Sequence, residues 1–577
     1  MIQQETPRRV NVDEVLERRT GPKGLWQCTI LLVICVSMSI PVLFPVFSNA
    51  VPRHRCALDK EKEDYLANKL VPAVGFGNET RHLTFDEIAR IVGPWFPRDE
   101  NFTVNQHQYG CSRFKGLNLA RLKTNNDGDL PTESCVNGYV YEPMETQYPS
   151  TIVAEWDLVC ENSWKNPFST SVYMFGMMMG FLSGGFLCGL LGRKKALYLA
   201  TIFECAFGLA VTFAPNYEWY IALRFFLSAA CTVKVAAISV IIVEVTTARY
   251  RAFFSAGSSL CFQCFYRALH ALFAMFIHNW RYLHLTIMVP GFIGLFTILW
   301  MPESPRWLVS QDKDRKALKT LYKAYRINST CKSGPRLNFE EFLEETGYSH
   351  VTDDPKKPKK SFKLTEFLRG FGKGFAAPYQ NADIAKRSII STFLFTGQMC
   401  AFFGMLFYTQ VIRGSVYYVS MLNALTSVPG VLISTLLYWR LKSRKKPLLT
   451  LYAIAGTVLL VGGLYTVIGK PESEIPLIVS CNIALVLLGA ALNMLFIYTP
   501  ELFPSSIRSQ GFGNATGLGR VGSILCSFIN QLDLQLGHGV PVIIYGGILL
   551  LQFALTCCLP ETDGENLADV VHSEEDK

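Results

Sequence analysis

Six ionisable side chains stand inside stretches that are otherwise apolar: Glu204, Arg224, Lys234, Arg267, His270 and Arg520. Four are cationic, one is acidic and His270 can be neutral. Such a group costs at least a few kcal/mol in an apolar setting unless it meets a partner or a wet cavity. The chemistry these residues offer is recognition of charge. Lys234 and Arg267 lie too deep to reach an interface, and His270 follows Arg267 by three residues, on the same helical face. Both cations are candidates to hold a ligand or a coupling ion. Glu204 can pair with Arg224 or Lys234, and Arg224, nearer one end of its stretch, can pair with Glu218. Arg520 is the sharpest candidate: it stands mid-stretch, just before Gly522. Tyr266, Tyr418 and Gln398 are candidate lining residues, the tyrosines by stacking or cation–π contact.

Enzyme chemistry is not expected. The chain has no paired carboxylates, no metal-spaced His/Cys set and no nucleophile motif, so no catalytic residue, metal ligand or cofactor is assigned. Gly370–Gly374 has neither the preceding strand nor the Lys-Ser/Thr of a phosphate loop, which argues against an ATP-driven pump.

The apolar stretches themselves decide the class. The chain has 577 residues, 50% hydrophobic and 18% charged, against roughly 25% charge in a soluble domain. Disordered, coiled-coil and collagen-like chains are excluded. Twelve blocks have the about 20 apolar residues needed to cross a bilayer. Spans 1–6 are read at about 25–48, 167–191, 196–214, 219–243, 252–277 and 283–300. Spans 7–12 are read at about 388–409, 415–439, 448–468, 476–498, 510–531 and 540–559.

Short loops carry Arg193, Lys194, Lys195, Arg249, Arg251, Arg440, Lys442, Arg444, Lys445, Lys446 and Arg508 on the side of the termini. The other side has Arg281, Arg413 and Lys470. Lys and Arg mark the cytoplasmic face, so both termini are expected there. The net charge of +9 thus reflects topology and not nucleic-acid binding.

The expected organisation is a cytoplasmic N-terminus (1–24), a first six-helix bundle (25–300) and a cytoplasmic linker loop (301–387). A second bundle (388–559) and a cytoplasmic tail (560–577) follow. Within the first bundle, residues 50–165 form a large polar loop on the outer face. It holds Cys56, Cys111, Cys135 and Cys160, which an oxidising compartment would join as two disulfides in one of three connectivities. It also holds two glycosylation sequons, Asn78 and Asn101. Ser304 to Tyr325 reads as an amphipathic helix with Trp307, Leu308, Leu318, Leu321 and Tyr322 inward.

The halves echo each other. Gly192-Arg-Lys-Lys195 after span 2 matches Ser443-Arg-Lys-Lys446 after span 8. Glu244 to Arg249 after span 4 matches Glu501 to Arg508 after span 10. Pro302-Glu-Ser after span 6 matches Pro560-Glu-Thr after span 12. Three echoes in matching order argue for two bundles related by an axis along the membrane normal. Such bundles rock about a central site, and charged helix ends can bond and separate as they do so. Arg193, Glu244, Arg249, Glu303, Arg306, Glu501, Arg508 and Glu561 are the gating candidates.

At these residues the chain resembles the organic cation/anion transporter family (solute carrier family 22) of the major facilitator superfamily. The resemblance covers nearly the whole length. It rests on Ser150-Thr-Ile-Val-Ala-Glu-Trp-Asp-Leu-Val-Cys160, on Pro302-Glu-Ser-Pro-Arg-Trp-Leu308, and on Tyr498-Thr-Pro-Glu-Leu-Phe-Pro504 with Arg508. It implies a plasma-membrane secondary transporter of small organic ions, by facilitated uptake or exchange, with a co- or counter-transported ion among its partners. Arg520 aligns where the family's anion transporters place an Arg and its cation transporters an Asp. A cavity rich in cations also attracts carboxylates, so the expectation leans to organic anions or zwitterions. The anion pattern is incomplete, because Val431 stands where those members carry a span 8 Lys. Gly189 and Leu190 also replace the superfamily's Asp-Arg in the loop after span 2. Competing readings are an organic cation or carnitine-like zwitterion transporter, and a transporter-derived ligand receptor with little flux.

Overall fold

In the computed structural model, residues 10–561 are described apart from 73–79, 95–109, 116–130, 143–146, 331–336, 352–371 and shorter gaps of up to three residues. Among the described residues, eleven helices are long and apolar enough to cross a membrane, from Leu25–Ser48 to Val540–Cys557. In lipid no water can satisfy backbone N–H and C=O groups, so apolar runs of this length close their own hydrogen bonds as helices.

Several runs are interrupted where the sequence disfavours a continuous ladder. Span 1 is the helix Leu25–Ser37, a 3-10 turn Pro41–Leu43 and the short helix Pro45–Ser48; Pro41 and Pro45 bring no N–H to the ladder. Span 5 is Ala248–Leu260 and Tyr266–Phe276 joined by a π turn, Cys261–Phe265. Span 8 bends at Thr426, between Val416–Leu425 and Ser427–Arg440. The block read as span 11 divides into Arg508–Leu518 and Val521–Leu536, with Gly519 and Arg520 between them. A Cβ on Gly522 would collide with the Thr396 carbonyl of span 7, so glycine permits this close approach.

Helix packing repeats with a shift of six. Span 2 packs on span 4, and span 8 on span 10. Span 3 packs on spans 4 and 6, and span 9 on spans 10 and 12. Span 1 packs on span 6, and span 7 on span 12. The halves meet where span 2 lies against both parts of the divided block and where span 5 lies against span 8. A shift of six exchanges those two contacts, so the sequence echoes correspond to a two-fold relation in space.

Among the described residues of 50–165 there are three two-stranded antiparallel ribbons, with Arg53–Cys56 pairing Tyr139–Glu142 in the register Arg53↔Glu142. Of the three connectivities, Cys56 pairs with Cys135 and Cys111 with Cys160. The insert is tied to span 6 through Glu155, which accepts from Trp280 Nε1 at 2.6 Å and pairs with Arg281. Asn78 and Asn101 lie outside the described residues.

At the opposite face the stretch read as one helix is two, Pro305–Ser310 and Asp314–Asn328. They are separated by a turn with Asp312 at φ +53°. Leu308, Leu318 and Leu321 are buried as the pattern predicts, and Trp307 and Tyr322 half-buried. Leu318 and Leu321 share a second apolar core with Val12, Val15 and Leu16 from the chain start and Phe342. Asp13 pairs with Arg306 at 2.5 Å and Arg19 with Glu345 at 2.7 Å, so the chain start and the loop helices form one cap on the first half.

Between spans 11 and 12, His538 bridges two carboxylates. Nδ1 is 2.9 Å from Asp533 Oδ2 and Nε2 is 3.0 Å from Glu474 Oε2. Asp533 Oδ1 also accepts from Tyr408 at 2.6 Å and from the Gly539 N–H at 2.9 Å. Burial pulls the imidazole down, but the bonds to Asp533 and Glu474 outweigh it and hold His538 up at about 9. A value raised above the ordinary 6.5 contributes stability in full below that pH and loses it as pH rises through about 9. His538→Gln should therefore lower the unfolding temperature near pH 6 and change it little near pH 10. Thermal unfolding at both values checks this; an equal loss at both would remove the protonated bridge from the account.

Candidate functional site

The interior charges fall into two groups. In the first half, Lys234 Nζ is 2.6 Å from Glu204 Oε2, and both side chains are almost wholly buried. Lys234 also donates to Ser37 O at 2.6 Å, a carbonyl freed where span 1 breaks. Glu204 further accepts from Ser39 Oγ and, at 3.5 Å, from Cys231 Sγ. A buried pair persists only with good geometry and satisfied remaining atoms, and this one has both. Arg224 does not pair with Glu218. It donates to Tyr220 Oη at 2.8 Å and lies over the rings of Tyr173, Tyr220 and Phe44 at 4.6, 5.4 and 5.8 Å.

The second group lies between the halves. A small cavity is lined by Leu43, Val46 and Phe47 of span 1, Arg267 and His270 of span 5, Leu406 of span 7, and Ser420 and Asn423 of span 8. Arg267 donates across the divide, Nη1 to Ser427 Oγ at 3.1 Å and Nη2 to Asn423 O at 2.9 Å. Its Nε, His270 Nε2 and Ser420 Oγ have no hydrogen-bond partner among the described residues. Phe47 stacks on Tyr417, ring centroids 6.2 Å apart.

Arg520 occupies the break between the two parts of the divided block. Its guanidinium lies over Phe181 of span 2 at 4.5 Å and Phe403 of span 7 at 5.6 Å. The residue is buried and its Nε has no partner. Among the described residues, no carboxylate forms an ion pair with Arg267 or Arg520. Desolvated cations without a counter-charge attract an anion, and the two rings beside Arg520 hold it without neutralising it.

The other candidates are distributed differently. Gln398 is buried between spans 7 and 10, donating to Leu488 O at 2.9 Å. Tyr266 gives its hydroxyl to Cys35 O at 2.6 Å. Tyr418 is 70% exposed and turns away from the cavity. Lys234 is not part of the cavity lining. Sequence reasoning did not single out Ser420, Asn423 and Ser427, although their spacing of three and four residues is the signature of one polar helix face. Phe181 and Phe47 carried no signal that distinguished them from lipid-facing aromatics.

At the face opposite the insert the charged helix ends form two matching networks. In the first half, Arg193 Nη2 pairs with Glu244 Oε1 at 2.7 Å, and Glu303 Oε1 accepts the N–H groups of Arg193 and Lys194 at 2.9 and 3.1 Å. Gly192 turns at φ +93°, and a Cβ there would press on Glu303. Arg306 Nε reaches Glu244 O at 3.3 Å. In the second half, Glu561 Oε1 accepts the N–H groups of Arg444 and Lys445 at 2.8 and 3.2 Å, and Arg444 lies 3.6 Å from Glu501. Each of these bonds stays within one half. The side chains of Arg249 and Arg508 lie outside the described residues.

Comparison with known proteins follows the same lines. Residues 135–572 match the family model described as sugar (and other) transporter. The chain is 27% identical to solute carrier family 22 member 21 of Mus musculus, over 96% of this chain and 91% of that protein. It is 28% identical to organic cation/carnitine transporter 2 of Homo sapiens, over 80% and 78%. Its fold is similar to that of the xylose transporter XylE from E. coli in a partially occluded inward open conformation. There the TM-score is 0.55 at 14% identity, covering 70% of this chain and 90% of that one.

The Glu204–Lys234 pair supplies a test of the interior. Lys234→Met leaves an unpaired buried carboxylate and should cost about 3–5 kcal/mol. Adding Glu204→Gln should recover most of that loss. Thermal unfolding of the purified single and double variants measures it, and equal losses in the two would mean that the pair is not what stabilises this core.

Proposed function

The chain belongs to the sugar (and other) transporter family and, within it, to solute carrier family 22 of the major facilitator superfamily, and from that membership we propose that its interbundle cavity takes small organic anions or zwitterions by their carboxylate. The protein is a secondary transporter of small organic ions and not an enzyme. The observation that carries the charge preference is the pair of buried arginines, Arg267 and Arg520, neither of which has a carboxylate partner among the described residues. A carboxylate in the cavity would accept from Arg267, with His270 and Ser420 available to its remaining lone pairs, while Arg520, which is not in that lining, adds positive charge between the halves.

The carnitine-like alternative has one point in its favour. Organic cation/carnitine transporter 2 is among the relatives, and a zwitterion of that kind presents a carboxylate to the same arginines. A purely cationic substrate would find two like charges and no counter-charge.

We read the divided block 508–536 as a twelfth span, which returns the chain to the face on which it began. The Lys and Arg count assigns that face to the cytoplasm of the plasma membrane, with the insert and its two disulfides outside. On this reading the networks around Glu303 and Glu561, with Arg193, Glu244, Arg306 and Glu501, hold the cytoplasmic helix ends of each bundle as a rigid unit while the bundles rock. Arg249 and Arg508 extend them by sequence position alone.

Uptake by cells expressing the chain tests the charge preference. A hydrogen bond to a charged group is worth about 1.5–3 kcal/mol, so Arg267→Gln and Arg520→Gln should each weaken uptake of a labelled monocarboxylate roughly tenfold or more. Arg520→Asp should in addition favour labelled organic cations over anions. Unchanged selectivity in that variant, with surface expression intact, would overturn the reading.

A further inference from the structure

The last helix, Val540–Cys557, has two faces. Leu549, Gln552 and Thr556 are buried against its neighbours. Leu550, Leu551, Phe553 and Ala554 are exposed, and Cys557 and Cys558 continue that stripe by one further turn. Exposure on a spanning helix is exposure to lipid, so the two thiols end a lipid-facing stripe. They also mark a boundary. Lys445 Nζ donates to Cys557 O at 2.8 Å and Leu559 O at 2.7 Å. Glu561 caps the loop at Arg444 and Lys445 three residues beyond Cys558. The thiols thus stand where the apolar stripe meets a ring of charge.

We propose that Cys557 and Cys558 are sites of S-acylation by long-chain fatty acids. The proposal rests on the reading that this face is cytoplasmic. The Cys Sγ attacks the carbonyl carbon of a fatty acyl-coenzyme A, with a membrane acyltransferase as catalyst. The acyl–sulfur bond of the coenzyme breaks, a thioester forms on Sγ, and the cysteine's proton ends on the released coenzyme A thiol. No electrons are gained or lost. Exposed thiols at a membrane boundary are the usual acceptors. The chains would lie along Phe553 and Leu550, in the lipid that the stripe already faces. Two adjacent chains bind a bilayer far more firmly than one, which fixes the end of the last span beside the Glu561 network.

The test uses the full chain expressed in cultured animal cells. Free thiols are blocked, thioesters are cleaved with neutral hydroxylamine, and the released thiols are tagged with a polyethylene-glycol maleimide that adds mass. The expected result is two mass increments on the wild-type chain, one on Cys557→Ser or Cys558→Ser, and none on the double variant. Treatment of the wild type with an acyltransferase inhibitor should abolish the increments without any substitution. Absence of a hydroxylamine-dependent increment on the wild type overturns the proposal, as does its retention in the double variant. A membrane-impermeant maleimide applied to intact cells separates the two readings. Labelling at Cys557 and Cys558 from outside overturns the orientation as well, whereas thiols unlabelled from outside and free of acyl chains overturn the acylation alone.

Discussion

Everything in this fold answers to one constraint: a charge removed from water must find another charge, a set of dipoles or a ligand. The first half satisfies it internally. Glu204 and Lys234 neutralise each other, and the remaining donors and acceptors are taken by Ser39, Cys231 and the Ser37 carbonyl released at the break in span 1. Between the halves the constraint is met only in part. Arg267 has a hydroxyl and a carbonyl, Arg520 has two aromatic rings, and neither has a counter-charge among the described residues. The contrast within one molecule separates a structural pair from a site.

The same contrast holds at the helix ends. Glu303 and Glu561 perform the same task six spans apart, each closing over two successive N–H groups of a short basic loop. Among the described residues these bonds stay within one half. Contacts that cross between the halves include Ser171 Oγ to Ile524 O, Phe47 to Tyr417 and Arg267 to span 8. Among the described residues, each of these networks therefore ties together the helix ends of its own half. Gly189 fits this pattern. A Cβ at Gly189 would meet nothing within 4 Å, and the Gly189 carbonyl accepts from Trp307 Nε1 at 3.0 Å.

Much of this was legible in the chain because it depends on period and composition. The apolar blocks, the echo of Glu303 in Glu561 and the need of Glu204 for a cationic partner, Arg224 or Lys234, follow from spacing and from the cost of a buried charge; which of the two it is does not. The breaks were less legible. Pro41 and Pro45 announce one, but the division at Gly519–Arg520 needs the Thr396 backbone of span 7 against Gly522, which no local pattern contains. Facing was the hardest to read. An aromatic residue alone does not distinguish lipid from protein, and Tyr418 is exposed although its span borders the cavity. The direction on that span is carried by Ser420 and Asn423, whose polarity marks the inward face. The single amphipathic helix expected from Ser304 to Tyr325 had the right inward leucines but not the turn at Asp312, a backbone event that hydropathy does not record.

On the proposed anion reading, Arg267 would connect binding to movement. Its guanidinium is carried by the first half, and its hydrogen-bond acceptors, Ser427 Oγ and Asn423 O, belong to the second. A carboxylate entering the cavity offers a charged acceptor in place of two neutral ones, so it competes for the donors that tie the halves together. A ligand shifts a conformational equilibrium only by its differential affinity for the two states. Here the difference has a physical source: in the joined state the ligand must displace existing bonds, and in a separated state the same donors are free to receive it. On the proposed anion reading, Arg267 would make attraction depend on the distance between the halves, while Arg520, over the rings of Phe181 and Phe403, has no counter-charge among the described residues.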